Sequence, residues 1–333
     1  MRVVVTGASG NVGTSLLRRL ADDPAVDEIV GLARRRPLLD LPKTEWRSVD
    51  VAHDDLAPHV AGADCVVHLA WLIQPSHDLD FLRRTNVDGS ERVFRAVAEA
   101  QVPSLVYASS VGAYSPGPKH ARVDEGWPTE GVRTSFYSRH KAEVERLLDR
   151  FAREQPETRV VRLRPGLIFK RGSAEEQRRY FLGPLFPRVL ARRKALVAVP
   201  ALRGLRFQAV HTRDVAEAYR LAVLGEARGA FNVAAEPVLD PPTLARALGA
   251  RTVPVPLRLA RAALDVTWRL RLQPTPSGWL DMGLSVPIME TKRARDELRW
   301  QPQHSSLDAI EDVLDGMSEV EGEPTPPLEP AKR

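Results

Sequence analysis

The chemistry in this sequence centres on Tyr137-Ser138-Arg139-His140-Lys141. On a helix, positions i and i+4 share a face, so the phenol and the ammonium project into one place. An ordinary tyrosine, with a pKa of ~10, holds its proton too tightly to move it near neutral pH. A neighbouring cation stabilises the phenolate, which makes the pair a candidate general acid/base. The alternative is a solvated pair on a helix surface. With five tyrosines and seven lysines among 333 residues, a Tyr-x-x-x-Lys spacing is expected by chance only about 0.1 times. The chain otherwise prefers arginine, so a lysine here suits a need for a compact point charge.

Two further groups could complete a reaction. Thr6-Gly7-Ala8-Ser9-Gly10-Asn11-Val12-Gly13 follows an apolar run and opens a helix. Glycines at 7, 10 and 13 allow a tight turn and close approach of the backbone to a pyrophosphate. The N–H groups and positive end of the helix then meet the phosphates. Such a turn also serves as a plain strand-to-helix loop, but its position between strand and helix favours dinucleotide binding. Ser109-Ser110 end the run 104–108, at the carboxyl end of a strand, where open α/β sheets bind ligands. A hydroxyl there can hold a substrate carbonyl against the tyrosine, or simply terminate the strand.

Positioning these groups requires a sheet. Residues 3–5, 28–32, 65–69, 104–108 and 159–163 form short, largely apolar runs, as in strands buried on both faces of a parallel sheet. Helical patterns at 12–21, 79–100 and 135–153 alternate with them. The expected fold is a doubly wound, Rossmann-like α/β domain. After Pro165 prolines and glycines become frequent and strands few, which reads as a smaller, mostly helical substrate lobe. The dinucleotide-binding domain is expected over 1–165 and about 205–225, with 211–224 a returning helix. The lobe is expected over about 166–204 and 226–317. Residues 318–333, rich in proline and acid, read as a disordered tail.

Composition excludes several functions. A net charge of +5, with arginines scattered, provides no basic stripe for a nucleic acid. No stretch approaches the ~20 apolar residues of a membrane helix, and 3–5 is too short a run for a signal peptide. Cys65 is the single cysteine, which fits a reducing compartment. A cytoplasmic protein with no metal, nucleic-acid or membrane partner is therefore expected.

The order of these motifs resembles the extended short-chain dehydrogenase/reductase family, the NAD-dependent epimerase/dehydratase group. The series runs Gly7/Gly10/Gly13, Asp50-Val51, His68-Leu69-Ala70, Asn86, Ser109-Ser110 with Tyr114, Tyr137/Lys141 and Arg164-Pro165. Val210-His211 with Asp214, Asn232, and Leu298-Arg299-Trp300-Gln301-Pro302 complete it. The resemblance implies that Ser110, Tyr137 and Lys141 are catalytic. It also implies a cofactor contacted by Gly7, Ser9, Gly10, Asn11, Val12, Gly13, Asp50, Val51, Leu69, Ala70, Lys141 and Pro165. Asn86 would brace the active-site strand, and His211 and Asp214 would be mainly structural. A homodimer on the helices 79–100 and 135–153 is implied too, with Val93, Val97, Val144 and Leu148 as candidate faces.

Departures narrow the substrate. Val111 and Gly112 stand where sugar-nucleotide dehydratases of the family carry an acidic pair. Pro165-Gly166-Leu167-Ile168-Phe169 lacks the asparagine of many sugar-nucleotide enzymes, and Trp71 replaces a small residue beside the cleft. The expected activity is hydride transfer between NAD(P) and a small carbonyl or alcohol substrate, by an oxidoreductase or epimerase. The lobe offers Tyr180, Phe181, Phe186 and Trp279 as aromatic contacts. A dinucleotide-binding sensor or scaffold without turnover is the alternative. NADP is preferred over NAD, because the second strand ends at Ala33 and is followed by Arg34-Arg35-Arg36 rather than a carboxylate. Arginine there accommodates a 2′-phosphate, with Arg34 and Arg35 the expected contacts.

Overall fold

Val3, Val4 and Val5 are fully buried because their strand, Arg2–Thr6, lies in the middle of a sheet covered on both faces. A computed structural model of the chain describes residues 1–74, 76–183 and 197–329. Seven parallel strands form its main sheet, in the order Gly229–Val233, Arg159–Pro165, Ser104–Ala108, Cys65–His68, Arg2–Thr6, Glu28–Ala33 and Thr44–Ser48. The side chains divide by pleat. Val3, Val5, Cys65 and Val67 face a layer built on the helices Asn11–Ala21 and Thr212–Leu224. Val4, Val66, Leu105 and Tyr107 face the helices Gly89–Glu99 and Phe136–Glu154. Burial on both faces is what the continuous apolar runs demand.

The chain leaves the central strand towards Thr44–Ser48, then returns to add Cys65–His68 on the opposite side. That reversal opens a crevice at the carboxyl ends of Arg2–Thr6 and Cys65–His68, the usual ligand position of such sheets. The glycine turn and the segment after His68 both end there.

Several expectations change in detail. Gly229–Val233, read as part of the lobe, is the edge strand of the main sheet. The helix expected over 79–100 is interrupted by a π-turn at Arg84–Asp88. Val93, Val97, Val144 and Leu148 are at most 1% exposed, packed on their own sheet rather than offered to a second subunit. The tail reading also fails for the described residues: the helix Ser306–Glu319 runs past 318, and Thr325 and Leu328 are fully buried. Glu323 pairs with Lys170 at 2.5 Å and Arg18 at 2.8 Å, while the Leu38 N–H donates to the Pro324 carbonyl. Its Glu323 meets the buried Lys170 and the more exposed Arg18, so charge here orders the chain. Phe186 and residues 330–333 lie outside the described residues.

In the lobe, short strand pairs (Ala198–Ala201 with Arg251–Pro254, and Leu167–Phe169 with Ala209–His211) accompany the helices Pro241–Ala247, Leu257–Arg269 and Ser277–Ser285. Leu72, Phe136, Tyr137, Met282 and Val286 join lobe and sheet domain in one apolar cluster. No helix among the described residues is long and apolar enough to cross a membrane.

The glycines of the turn divide by what surrounds them. A Cβ on Gly13 would meet the Ala8 carbonyl oxygen at 2.4 Å, whereas one on Gly10 would come no closer than 3.4 Å to any protein atom. Gly13→Ala is therefore expected to cost about 1–3 kcal/mol of stability in denaturant unfolding. Gly10→Ala should unfold like the wild type.

Candidate active site

The helix Asn11–Ala21 starts at Gly10 with no side chain capping it, so its first-turn N–H groups remain available as donors. Gly7, at φ +67°, brings the turn against the segment after the fourth strand, and a Cβ on it would lie 2.6 Å from the Ala70 nitrogen. Gly10 alone of the three is not demanded by protein contacts, and its open side is a cradle a phosphate fits. Ser9, Val12, Leu69 and Ala70 border this space, half-buried, while Val51 and Pro165 are buried. The Asn11 side chain is engaged within the protein, accepting from the Thr212 hydroxyl and donating to the Ile168 carbonyl. Asp50 accepts from the Ala52 N–H. Arg34 and Arg35 are exposed beyond the second strand, and no carboxylate pairs with either among the described residues. The residues present fit a dinucleotide from the adenosine side to the pyrophosphate.

The candidate reacting groups come from two elements. Ser110 ends the Ser104–Ala108 strand segment, caps the short turn Val111–Ala113 and accepts from the Gly112 N–H. Phe136–Glu154 is capped by Ser135, whose hydroxyl accepts from the Ser138 N–H. The Ser138 hydroxyl in turn donates to the Gly112 carbonyl, locking the helix start to the serine turn. Tyr137 is thereby brought beside Ser110. Burial pushes the Tyr137 phenol up to about 12, opposed by the nearby Ser110 hydroxyl.

Lys141 does not relieve that shift. Its amine donates to the Ala108 carbonyl at 2.6 Å and lies 3.4 Å from the centre of a Trp71 ring, against 5.9 Å for Tyr137. Burial holds the Lys141 ammonium well below the usual lysine range, with Glu145 opposing. Trp71 is fixed by its neighbour: the Asn86 amide clasps Leu72, accepting from its N–H at 2.7 Å and donating to its carbonyl at 3.0 Å. Asn86 thus braces the segment after the fourth strand, not the active-site strand. On the lobe side Trp279 stacks obliquely on Tyr137 at 4.9 Å and Phe181 meets Trp279 edge-on. Tyr180 takes no part in this aromatic stack and lies beside Arg179. The indole nitrogens of Trp71 and Trp279 are buried and make no hydrogen bond among the described residues.

One buried cluster escaped the residue pattern. Glu145, two helical turns beyond Tyr137, is fully buried. It accepts from Arg162 at 2.6 Å, from Arg164 through both oxygens at 2.8 and 3.0 Å, and from Ser109 at 2.5 Å. Arg164 continues to the Tyr114 hydroxyl, which donates to Asn232. Three arginines within the buried strand Arg159–Pro165 were the available signal, because a buried arginine requires a counter-charge. His211 and Asp214 are joined by the C-terminal segment: Asp312 pairs with His211, while Asp214 accepts from the Gln303 and His304 N–H groups.

With this geometry in view, the comparisons with known proteins are direct. The model of the NAD dependent epimerase/dehydratase family matches residues 3–234. The chain belongs to that family, and so to the extended short-chain dehydrogenase/reductase enzymes. A Mycobacterium tuberculosis protein described as uncharacterised is 26% identical over 328 residues, 94% of this chain and 83% of the relative. An L-arabinose 1-dehydrogenase (NAD(P)(+)) of Haloferax volcanii is 36% identical over 109 residues, 33% of this chain and 41% of the relative. Among solved structures, a UDP-glucose 4-epimerase of Thermotoga maritima with UDP-glucose has a TM-score of 0.71 at 17% identity, covering 96% of this chain and 99% of its own. A UDP-glucuronic acid 4-epimerase of Bacillus cereus, in complex with UDP-glucuronic acid and NAD, has a TM-score of 0.70 at 16% identity with the same coverage. These likenesses establish the fold.

Glu145→Ala, which leaves buried Arg164 without its carboxylate and Arg162 with Asp149 alone, is expected to cost about 3–5 kcal/mol in denaturant unfolding. The two arginines and Ser109 hold the Glu145 carboxyl down to about 2, below its ordinary 4.5. Its contribution is then complete above pH 4.5 and lost as pH falls towards about 2. A Glu145→Gln variant should show a flatter decline of stability over that window in acid titrations.

Proposed function

We propose that this protein transfers hydride between a nicotinamide dinucleotide and a carbonyl or alcohol carbon of a small, largely apolar substrate. The juxtaposition of Ser110 and Tyr137 beyond the carboxyl end of the Ser104–Ala108 strand carries this reading. A dinucleotide would be held by the turn Gly7–Gly13, by Asp50, Val51, Leu69, Ala70 and Pro165, and by Lys141 at the nicotinamide ribose. Its nicotinamide supplies the site's hydride donor or acceptor. The Ser110 hydroxyl aligns the substrate oxygen, and the Tyr137 Oη gives that oxygen a proton in reduction or takes one in oxidation. Trp279, Trp71 and Met282 pack around Tyr137, with Phe181 against Trp279, apolar surroundings that suit an apolar substrate better than a nucleotide sugar. The Trp71 and Trp279 indole N–H groups, without a hydrogen bond among the described residues, suit one carrying an acceptor oxygen. An epimerase would run this proton step in both directions, removing the proton in oxidation and restoring it in reduction, with hydride returned to the opposite face of one keto intermediate.

Tyr137→Phe keeps the ring packing and removes the proton. Turnover is expected to fall about 10²–10⁴-fold with dinucleotide affinity unchanged, as read by steady-state kinetics and calorimetry. A phenol raised to about 12 stays protonated at neutral pH. Carbonyl reduction should therefore be flat from pH 6 to 9, while alcohol oxidation rises with pH by about tenfold per unit.

The cofactor reading is NADP(H) over NAD(H), supported by the exposed Arg34 and Arg35 where a carboxylate would select NAD. Titrations at matched ionic strength should give tighter binding of NADPH, and Arg34→Ala/Arg35→Ala should abolish the difference. Equal affinities in the wild type would refute it.

The indole covering Lys141 supports a second reading, a dinucleotide-binding protein without turnover, since Trp71 and the nicotinamide ribose compete for one amine. In the enzyme reading Trp71 must turn aside, and removing the indole that packs on the Lys141 amine frees the site. Trp71→Ala should then bind dinucleotide more tightly, with carbonyl turnover retained. Absence of turnover across a carbonyl panel in both proteins, with binding intact, would favour the second reading.

A further inference from the structure

The lobe helix Leu257–Arg269 buries none of its residues. One side, carrying Ala260, Leu264, Thr267 and Trp268, is partly covered by its own lobe, and Trp268 stacks on His77 at 4.2 Å. The opposite side carries Leu259, Ala262, Ala263, Val266 and Leu270, spaced at i, i+3, i+4, i+7 and i+11 so that they form one stripe. That stripe faces outward: Leu259 is 65%, Val266 53% and Leu270 63% exposed, and Leu272, just beyond, 52%. Along its border run Arg258 and Arg269, with Arg271 following. All three are exposed and make no ion pair among the described residues, whereas Arg261 pairs with Asp281. Over 257–272 the segment holds four arginines and one acid, Asp265.

We propose that this helix docks the lobe on an anionic lipid surface, lying in the plane of the interface with the leucine–valine stripe among the acyl chains. Isolated exposed apolar residues are ordinary, but a contiguous stripe marks a contact surface. The arginine border selects a negatively charged partner, as in helices that rest on membranes without crossing them. A second copy of the chain fits less well, because two such faces would bring like charges together. The face is also narrow: a helix of 13 residues is ~20 Å long and offers on the order of 200 Å², against ~800 Å² per partner in a stable interface. A bilayer needs no such area and conforms to a convex helix. This proposal is independent of the catalytic reading.

Vesicle co-sedimentation of the full chain tests it, with phosphatidylcholine alone and with added phosphatidylglycerol. Binding is expected only to the anionic vesicles and should weaken with salt. Val266→Glu/Leu270→Glu should lose binding by about tenfold or more, and Arg258→Gln, Arg269→Gln and Arg271→Gln by about fivefold each. Unchanged circular dichroism and dinucleotide affinity would show each variant folded, since every substituted side chain is exposed. No binding to anionic vesicles, equal binding to neutral ones, or unaltered binding of Val266→Glu/Leu270→Glu would each overturn the proposal. So would a wild-type dimer in sedimentation that this double variant converts to monomer, since the occupant would then be a second copy.

Discussion

The geometry of the site depends on one buried carboxylate. Glu145 sits on the helix that carries Tyr137 and Lys141 and faces two guanidiniums from the neighbouring strand. Charges removed from water are tolerable only when paired and fully hydrogen-bonded, and both Glu145 oxygens meet that condition. The bidentate contact with Arg164 fixes the helix in distance and rotation, and through Ser109 the carboxylate reaches the segment after Ser104–Ala108 that carries Ser110. A sliding or turning helix would uncouple three charges at once. The phenol and amine thus inherit their positions from an ion cluster that takes no part in the reaction.

How much of this was legible in the sequence follows from which interactions are local. Val3-Val4-Val5, the glycine turn and the Tyr137/Lys141 spacing each carry their structural meaning within a few residues. The sheet, its crevice and the helix carrying Tyr137 and Lys141 could therefore be read directly. The strand Gly229–Val233 was missed because two glycines and an asparagine flank or interrupt its short apolar content, and only its pairing with Arg159–Pro165 defines it. The C-terminal segment misled for a related reason. Proline and acid in isolation signal disorder, but Glu323 finds Lys170 and Arg18 far away in sequence, and no local pattern announces a distant counter-charge. Glu145 escaped likewise, as one more charged residue on an apparently amphipathic helix.

Trp71 shows how one large side chain alters the electrostatics of a familiar pair. With the indole over its amine, Lys141 is sealed from water and bonded to a backbone carbonyl. Desolvation then acts on both members in opposite senses, raising the phenol and lowering the ammonium, so each is driven towards its neutral form. In this arrangement the site stores a proton on tyrosine rather than a phenolate held by lysine.

The position of Cys65 has a different kind of consequence. It lies in the central sheet, fully buried, and burial pushes its thiol up to about 11, so at neutral pH it carries almost no thiolate and no reagent can reach it. Because the chain holds no other cysteine, alkylation can proceed only when the sheet itself opens. The rate at which the folded protein takes up a thiol label is therefore a clock for the opening of its core, built in without any engineered probe.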